Sequence, residues 1–218
     1  MEKCAVIVAG GPVEDQLVKT WIENNVYDCL IAADRGMEVL DRIGVYPNFI
    51  LGDFDSVQKD VLEKWKQDEH VTFETFPERK DETDTEIAIR RAGELGYQRL
   101  VIFGALGGRV DHLMGNIHLL LYGKQRGMQV LLLDEKNRIR LLHNETFVLR
   151  KDEQYGKYVS FLPFGGETGT ITLDGFRYSL TKGHLQFGST QGISNVIEAE
   201  EASVEVEAGM LLMLETRD

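Results

Sequence analysis

Short, fully apolar runs alternate with stretches of helical period through the first part of this chain. The runs are Cys4–Ala9, Cys29–Ala33, Phe49–Leu51, Leu100–Phe103 and Val130–Leu133. A strand with no polar face must be covered on both sides, so this alternation predicts a mostly parallel sheet between two layers of helices. The helical patterns carry Leu17, Trp21 and Ile22, then Met37, Leu40 and Ile43, then Val57, Val61, Leu62 and Trp65. A further helix holds Val110, Leu113, Met114, Ile117 and Leu121 at the spacing of one face, which is expected to be buried.

Near residue 140 the pattern changes. Tyr158–Leu162, Thr170–Leu173, Asn195–Ala199, Ser203–Glu207 and Met210–Glu215 read as short strands between glycine-rich or charged turns. Val204 and Val206 alternate with Ser203, Glu205 and Glu207, the signature of a sheet wet on one face. The expected fold class is therefore α/β: an N-terminal, mostly parallel α/β/α sheet domain over 1–140, followed by a small all-β domain over 141–218.

Composition narrows the function. The 218 residues carry a net charge of -12, a field that repels phosphate and argues against a nucleic-acid or anionic-membrane partner. No apolar stretch approaches the ~18 residues of a membrane span, and the start lacks a signal-peptide core, which predicts a cytoplasmic protein. Cys4 and Cys29 sit in apolar runs, away from any metal-binding spacing, and read as buried thiols.

In open α/β sheets, chemistry collects beyond the carboxyl ends of the strands. Those ends hold Gly10-Gly11, Asp34-Arg35-Gly36, Gly52-Asp53-Phe54-Asp55-Ser56 and the segment from Gly104 to Arg109. Asp53 and Asp55 can turn toward one cavity, where their mutual repulsion calls for a cation, and hard oxygen donors suit Mg²⁺. Asp55 or Ser56 capping the next helix is the alternative. In Lys80-Asp81-Glu82-Thr83-Asp84-Thr85-Glu86, Thr83 and Glu86 fit a capping box, while Lys80, Asp81 and Asp84 crowd the same helix mouth. The third cluster runs from Gly104 through Gly107, Gly108, Arg109 and Asp111 to His112. Its glycines let backbone N–H groups approach an anion. Arg109 at a helix start is unfavourable unless an anion accompanies it. Asp111 suits a cap or an orienting role, and His112 a ligand contact or a packed histidine. In the β part, Gly192-Ile193-Ser194-Asn195 forms either a turn or a pocket wall whose Ser194 and Asn195 offer neutral hydrogen bonds. A P-loop, a dinucleotide G-x-G-x-x-G and a G-x-S-x-G elbow are all missing. Metal-bound polyphosphate chemistry is what these clusters suggest together.

Taken in order, Asp53-Phe54-Asp55-Ser56, Lys80-Asp81-Glu82-Thr83-Asp84, Gly104 through His112 and Gly192-Ile193-Ser194-Asn195 resemble the motifs of bacterial thiamin pyrophosphokinases across essentially the whole chain. The resemblance implies an enzyme that transfers a pyrophosphoryl group from ATP to thiamin with Mg²⁺, giving thiamin diphosphate and AMP. It further implies a homodimer with shared thiamin sites, a catalytic nucleotide- and metal-binding first domain, and a second domain for thiamin and dimerisation. Within that frame Asp53, Asp55, Asp81 and Asp84 would serve the metal, and Asp53, Asp55, Asp84 and Arg109 the chemistry. Asp34, Arg35, Lys80, Gly107, Gly108, Arg109, Asp111 and His112 would bind or flank the nucleotide, and Ser194 and Asn195 the aminopyrimidine. Asp55 and Asp84 both stand as acceptors of the hydroxyl proton. The rival readings are a metal-dependent nucleotide phosphohydrolase and a non-catalytic nucleotide or thiamin sensor.

Overall fold

In the computed structural model, residues 2–77, 81–166 and 168–218 are described, and they form two compact units that divide between Glu135 and Lys136. The first unit runs β1 (Cys4–Val8), α1 (Asp15–Asn24), β2 (Cys29–Ala33), α2 (Gly36–Ile43), β3 (Phe49–Gly52) and α3 (Lys59–Lys66). It continues through β4 (Thr72–Thr75), α4 (Asp84–Glu94), β5 (Arg99–Phe103), α5 (Val110–Gln125) and β6 (Gln129–Leu133). All six strands pair in parallel, in the order β4-β3-β2-β1-β5-β6.

Every residue of β1 and β2 is buried, as strands without a polar face require. Two groups of helices supply the cover. α2, flanked by α1 and α3, packs on β1 and β2, while α4, next to α5, packs on β1, β2 and β3. The approach of α2 is close enough to demand glycine at its first residue, since a Cβ on Gly36 would lie 1.8 Å from the Val8 carbonyl oxygen. Exposed Thr72 and Thr75 explain why β4, at the sheet's edge, carries no apolar run.

The expected buried face of α5 is corrected. Val110 and Met114 are 70% and 49% exposed, and the helix instead buries Asn116, Leu119, Leu120 and Gly123. Gly123 lets the helix settle on the neighbouring strand, where an added Cβ would sit 2.3 Å from Val130 Cγ2. Apolar residues surround this helix on two stripes, and periodicity alone cannot choose between them.

The second unit contains an antiparallel β7-β13-β9 ladder, made of Asn137–His143, Met210–Thr216 and Tyr158–Pro163. A second antiparallel sheet has the order β11-β10-β12-β8, made of Leu180–Gly183, Ile171–Asp174, Glu201–Val206 and Thr146–Arg150. Its core gathers Leu142, Phe161, Leu173, Phe176, Val204, Val206 and Met213, with Phe161 and Phe176 edge to face at 5.3 Å. Val204 and Val206 point inward, as their alternation predicts.

Asn195–Ala199 does not form a strand, and only Asn195 and Ile197 make isolated bridges, to Val159 and Phe176. Ser194 has φ of 60°, and the Asn195 amide binds both backbone groups of Tyr178, so the chain bends where a ladder would run. A buried charge cluster closes the unit. Glu215, fully buried on β13, receives Arg138 and Arg140 from β7 and the Tyr155 backbone N–H.

Candidate active site

The strand order reverses between β1 and β5, and open α/β sheets bind ligands outside the carboxyl ends at such a point. A cleft of about 530 Å³ lies there, lined by the turns after β1, β2 and β5 and by the start of α4. Its floor is fixed by backbone. The Ala9 and Gly11 N–H groups donate to the carbonyls of Phe103 and Gly104 at 2.8 and 3.0 Å. Gly104 takes φ of 69°, and a Cβ there would reach the Ala9 carbonyl oxygen at 2.4 Å, so the two turns touch backbone to backbone. From α5, the buried Asn116 donates Nδ2 to the Ala105 carbonyl at 2.8 Å and holds the glycine turn in place.

Three carboxylates meet at one edge of this cleft. Single oxygens of Asp34, Asp53 and Asp55 lie within 4.8 Å of one another. Sheet register explains the meeting: Ala33 pairs with Leu51, so Asp34 and Asp53 leave adjacent strands at nearly the same height. The backbone then turns sharply at two non-glycine residues, with φ of 48° at Asp34 and 64° at Phe54. Phe54 buries its ring against Phe73 at 5.8 Å, which leaves its acidic neighbours outside. Asp53 Oδ1 accepts the Asp55 N–H at 3.2 Å, closing the turn.

Asp34 is the least comfortable of the three. Burial pushes its carboxyl above the usual carboxylate range, against the Ser56 and Arg35 hydrogen bonds that favour the charged form, and the charges of Asp84 and Asp53 add to the rise. Ser56 Oγ donates to Oδ2 at 2.7 Å. Oδ1 is buried and, among the described residues, has no hydrogen-bond partner. A buried acceptor without a donor beside two further carboxylates is the environment that a small hard cation satisfies. The donor set therefore fits Mg²⁺.

Asp84 opens α4 and lines the cleft together with Thr83 and Thr85. Thr83 Oγ1 accepts the Glu86 N–H at 3.2 Å, the cap expected from the sequence. Asp81 is exposed and is not among the residues lining the cleft, and Lys80 lies outside the described residues. Arg35, Gly107, Gly108, Arg109 and His112 all line the cleft. Arg109 precedes α5, and Asp111 supplies the anion that its position calls for, accepting from Nε at 3.1 Å and Nη2 at 2.6 Å. This pairing lowers the Asp111 pKa, with help from the His112 N–H. Both partners are exposed, so water competes for the pair and a ligand can draw the guanidinium away.

In the second unit, Ser194 is exposed and its N–H donates to Ser160 Oγ at 3.0 Å. Asn195 is buried, and its amide is engaged with Tyr178 and the Val196 N–H. Its visible role is to shape the loop that presents Ser194. Sequence reasoning linked Asp34 to the nucleotide rather than to the acidic pair, and did not single out Asn116 or the contact between Ser56 and Asp34.

Comparison with known proteins agrees with this division. Residues 21–132 match the family model for the thiamin pyrophosphokinase catalytic domain, and 145–211 match that for the thiamin pyrophosphokinase vitamin B1 binding domain. The thiamine pyrophosphokinase of Bacillus subtilis is 33% identical over 97% of this chain and 98% of its own. Its crystal structure superposes with a TM-score of 0.88 at 32% identity, covering 99% of this chain and all of the other. That of the Geobacillus thermodenitrificans enzyme gives 0.85 at 32% identity, covering 99% of this chain and 98% of the other. Two domain models in the right order and a full-length relative establish that the chain belongs to the thiamin pyrophosphokinase family.

Proposed function

We propose that the protein transfers the pyrophosphoryl group of ATP to the hydroxyl of thiamin in a Mg²⁺-dependent reaction, giving thiamin diphosphate and AMP. One observation carries this reading: the Asp34–Asp53–Asp55 cluster, whose Asp34 lines a cleft that a glycine turn and Arg109 line as well. Asp34, Asp53 and Asp55 would hold the cation, with Asp84 close enough to act on Asp34 electrostatically. Asp81, which is exposed, would be a further ligand or hold the Lys80 region in place. When bound, Mg²⁺ would offset polyphosphate charge and draw electrons from the β-phosphoryl group.

This chain's residues do the positioning. Arg35 and Arg109 present guanidinium groups to phosphate oxygens, and Gly107 and Gly108 offer backbone N–H groups. Lys80 would add a cation to the polyphosphate, while Asp111 and His112 brace Arg109 and the glycine turn. The thiamin hydroxyl oxygen forms a bond to the β-phosphorus as the bond to the α-bridging oxygen breaks. AMP leaves with that electron pair, and the hydroxyl proton passes to the carboxylate of Asp55 or Asp84. The Ser194 loop, shaped by Asn195, would hold the aminopyrimidine in a homodimer with shared thiamin sites. The cytoplasm supplies both substrates and suits two free, buried thiols. Among the described residues no helix is long and apolar enough to cross a membrane.

A product assay with MgATP and thiamin tests the proposal. AMP and thiamin diphosphate in equal amounts, both abolished by EDTA, are expected. ADP with thiamin monophosphate would move the attack to the γ-phosphorus. AMP release without thiamin would make the protein a phosphohydrolase, and binding without turnover a sensor.

A further inference from the structure

Two hydrogen bonds tie the acidic turn after β3 to the start of α2. One is the Ser56 hydroxyl on Asp34, and the other is the Gln58 backbone N–H, which donates to Glu38 Oε1 at 2.9 Å. Glu38 is 4% exposed, belongs to none of the motifs above, and does not touch the cleft. Its second carboxylate oxygen lies 3.5 Å from Nε of Arg35, which does line the cleft. A buried carboxylate is costly to keep unless its hydrogen bonds are needed. Here the need is visible. α3 has no side-chain cap of its own, and the N–H of Gln58, which precedes it, finds its acceptor on α2.

The turn from Asp53 to Gln58 is thus held by sheet pairing at Gly52 on one side and by Glu38 on the other. Ser56 lies just inside the second tether, where its hydroxyl meets Asp34. Resting on the cation site read above, we propose that Glu38 is a positioning residue for that site. It pins the acidic turn against α2, so that Asp53 and Asp55 stay within reach of Asp34 and Ser56 keeps Asp34 turned toward them.

The test is a Mn²⁺ titration of the metal-free, full-length protein, with free Mn²⁺ read by electron paramagnetic resonance and folding checked by circular dichroism and melting. E38M removes the acceptor and is expected to weaken Mn²⁺ binding by about 10-fold or more, the usual effect of losing an outer-shell partner. E38Q, whose amide oxygen still accepts from Gln58, is expected to bind like the wild type. Q58P removes the backbone donor and leaves Glu38 in place, and the Gln58 φ of -62° already suits proline, so it tests the same bond if E38M does not fold. Folded E38M or Q58P protein with wild-type affinity would overturn the proposal. E38Q as weak as E38M would also overturn it, by moving the effect to the charge beside Arg35. A wild type that binds no Mn²⁺, or a D53N variant that binds it normally, would instead defeat the cation-site reading itself.

Discussion

Asp34→Asn should make the protein more stable and unable to hold the proposed cation. In the wild type, Asp34 presents one oxygen to Ser56 and a second, buried oxygen that has no partner among the described residues, close to the charges of Asp53 and Asp84. Asparagine keeps an acceptor for Ser56 and replaces the partnerless, charged carboxylate with a neutral amide. Relieving an unsatisfied buried acceptor is worth about 1–3 kcal/mol, which for a chain of this size raises Tm by roughly 2–12 °C. The pH dependence has a definite sign. The folded pKa of Asp34 is raised, so the wild type is least penalised when this group is protonated and loses stability as pH climbs from the unfolded value through the folded one. The advantage of the variant is therefore full at neutral pH and fades in acid. Metal reverses the ranking: Mn²⁺ at about 1,000 times its Kd adds about 4.1 kcal/mol to the wild type, more than the variant's advantage, and nothing to a variant that cannot bind it. Melting curves in EDTA and in Mn²⁺, at neutral and acidic pH, read all of this. A variant less stable than the wild type in EDTA, or equally stabilised by Mn²⁺, would refute the reasoning.

Three further outcomes are expected. Asp55→Asn should lower turnover by orders of magnitude with an unchanged circular dichroism spectrum, and near-normal turnover would remove Asp55 from the chemistry. Arg138→Ala leaves a fully buried Glu215 short of its nearest cation and should cost about 3–5 kcal/mol in denaturant unfolding, toward the lower end because Arg140 remains. Cys4 and Cys29 are buried, and burial pushes both thiols up, so a thiol reagent at pH 8 should label neither in the native protein and both after unfolding.

The strands that sequence alone places well are those with no polar face. Cys29–Ala33 matches β2 residue for residue, because a run needing cover on both sides has few other places to go. β7 is harder to see, since Arg138 and Arg140 interrupt its apolar pattern, and the carboxylate that accounts for them arrives more than 70 residues later. On α5 the deciding residues were the least conspicuous, a glycine that admits Val130 and an asparagine bonded to a turn. The acidic pair was legible as a pair. Its third member was not, because Asp34 joins it only through the pairing of Ala33 with Leu51 and through positive φ at Asp34 and Phe54, which no local pattern announces.

The central position of β1 has a consequence for the order in which the site is built during synthesis. β1 and β2 are close in sequence and can pair as soon as both leave the ribosome, yet the other neighbour of β1, β5, lies roughly 95 residues downstream, and pairings so distant are slow to form. Asp34, Asp53 and Asp55 all precede residue 56, whereas the glycine turn that completes the cleft begins at Gly104. The acidic corner is thus the older part of each newly made molecule. The glycine-turn wall is added to it once nearly half of the chain has been made.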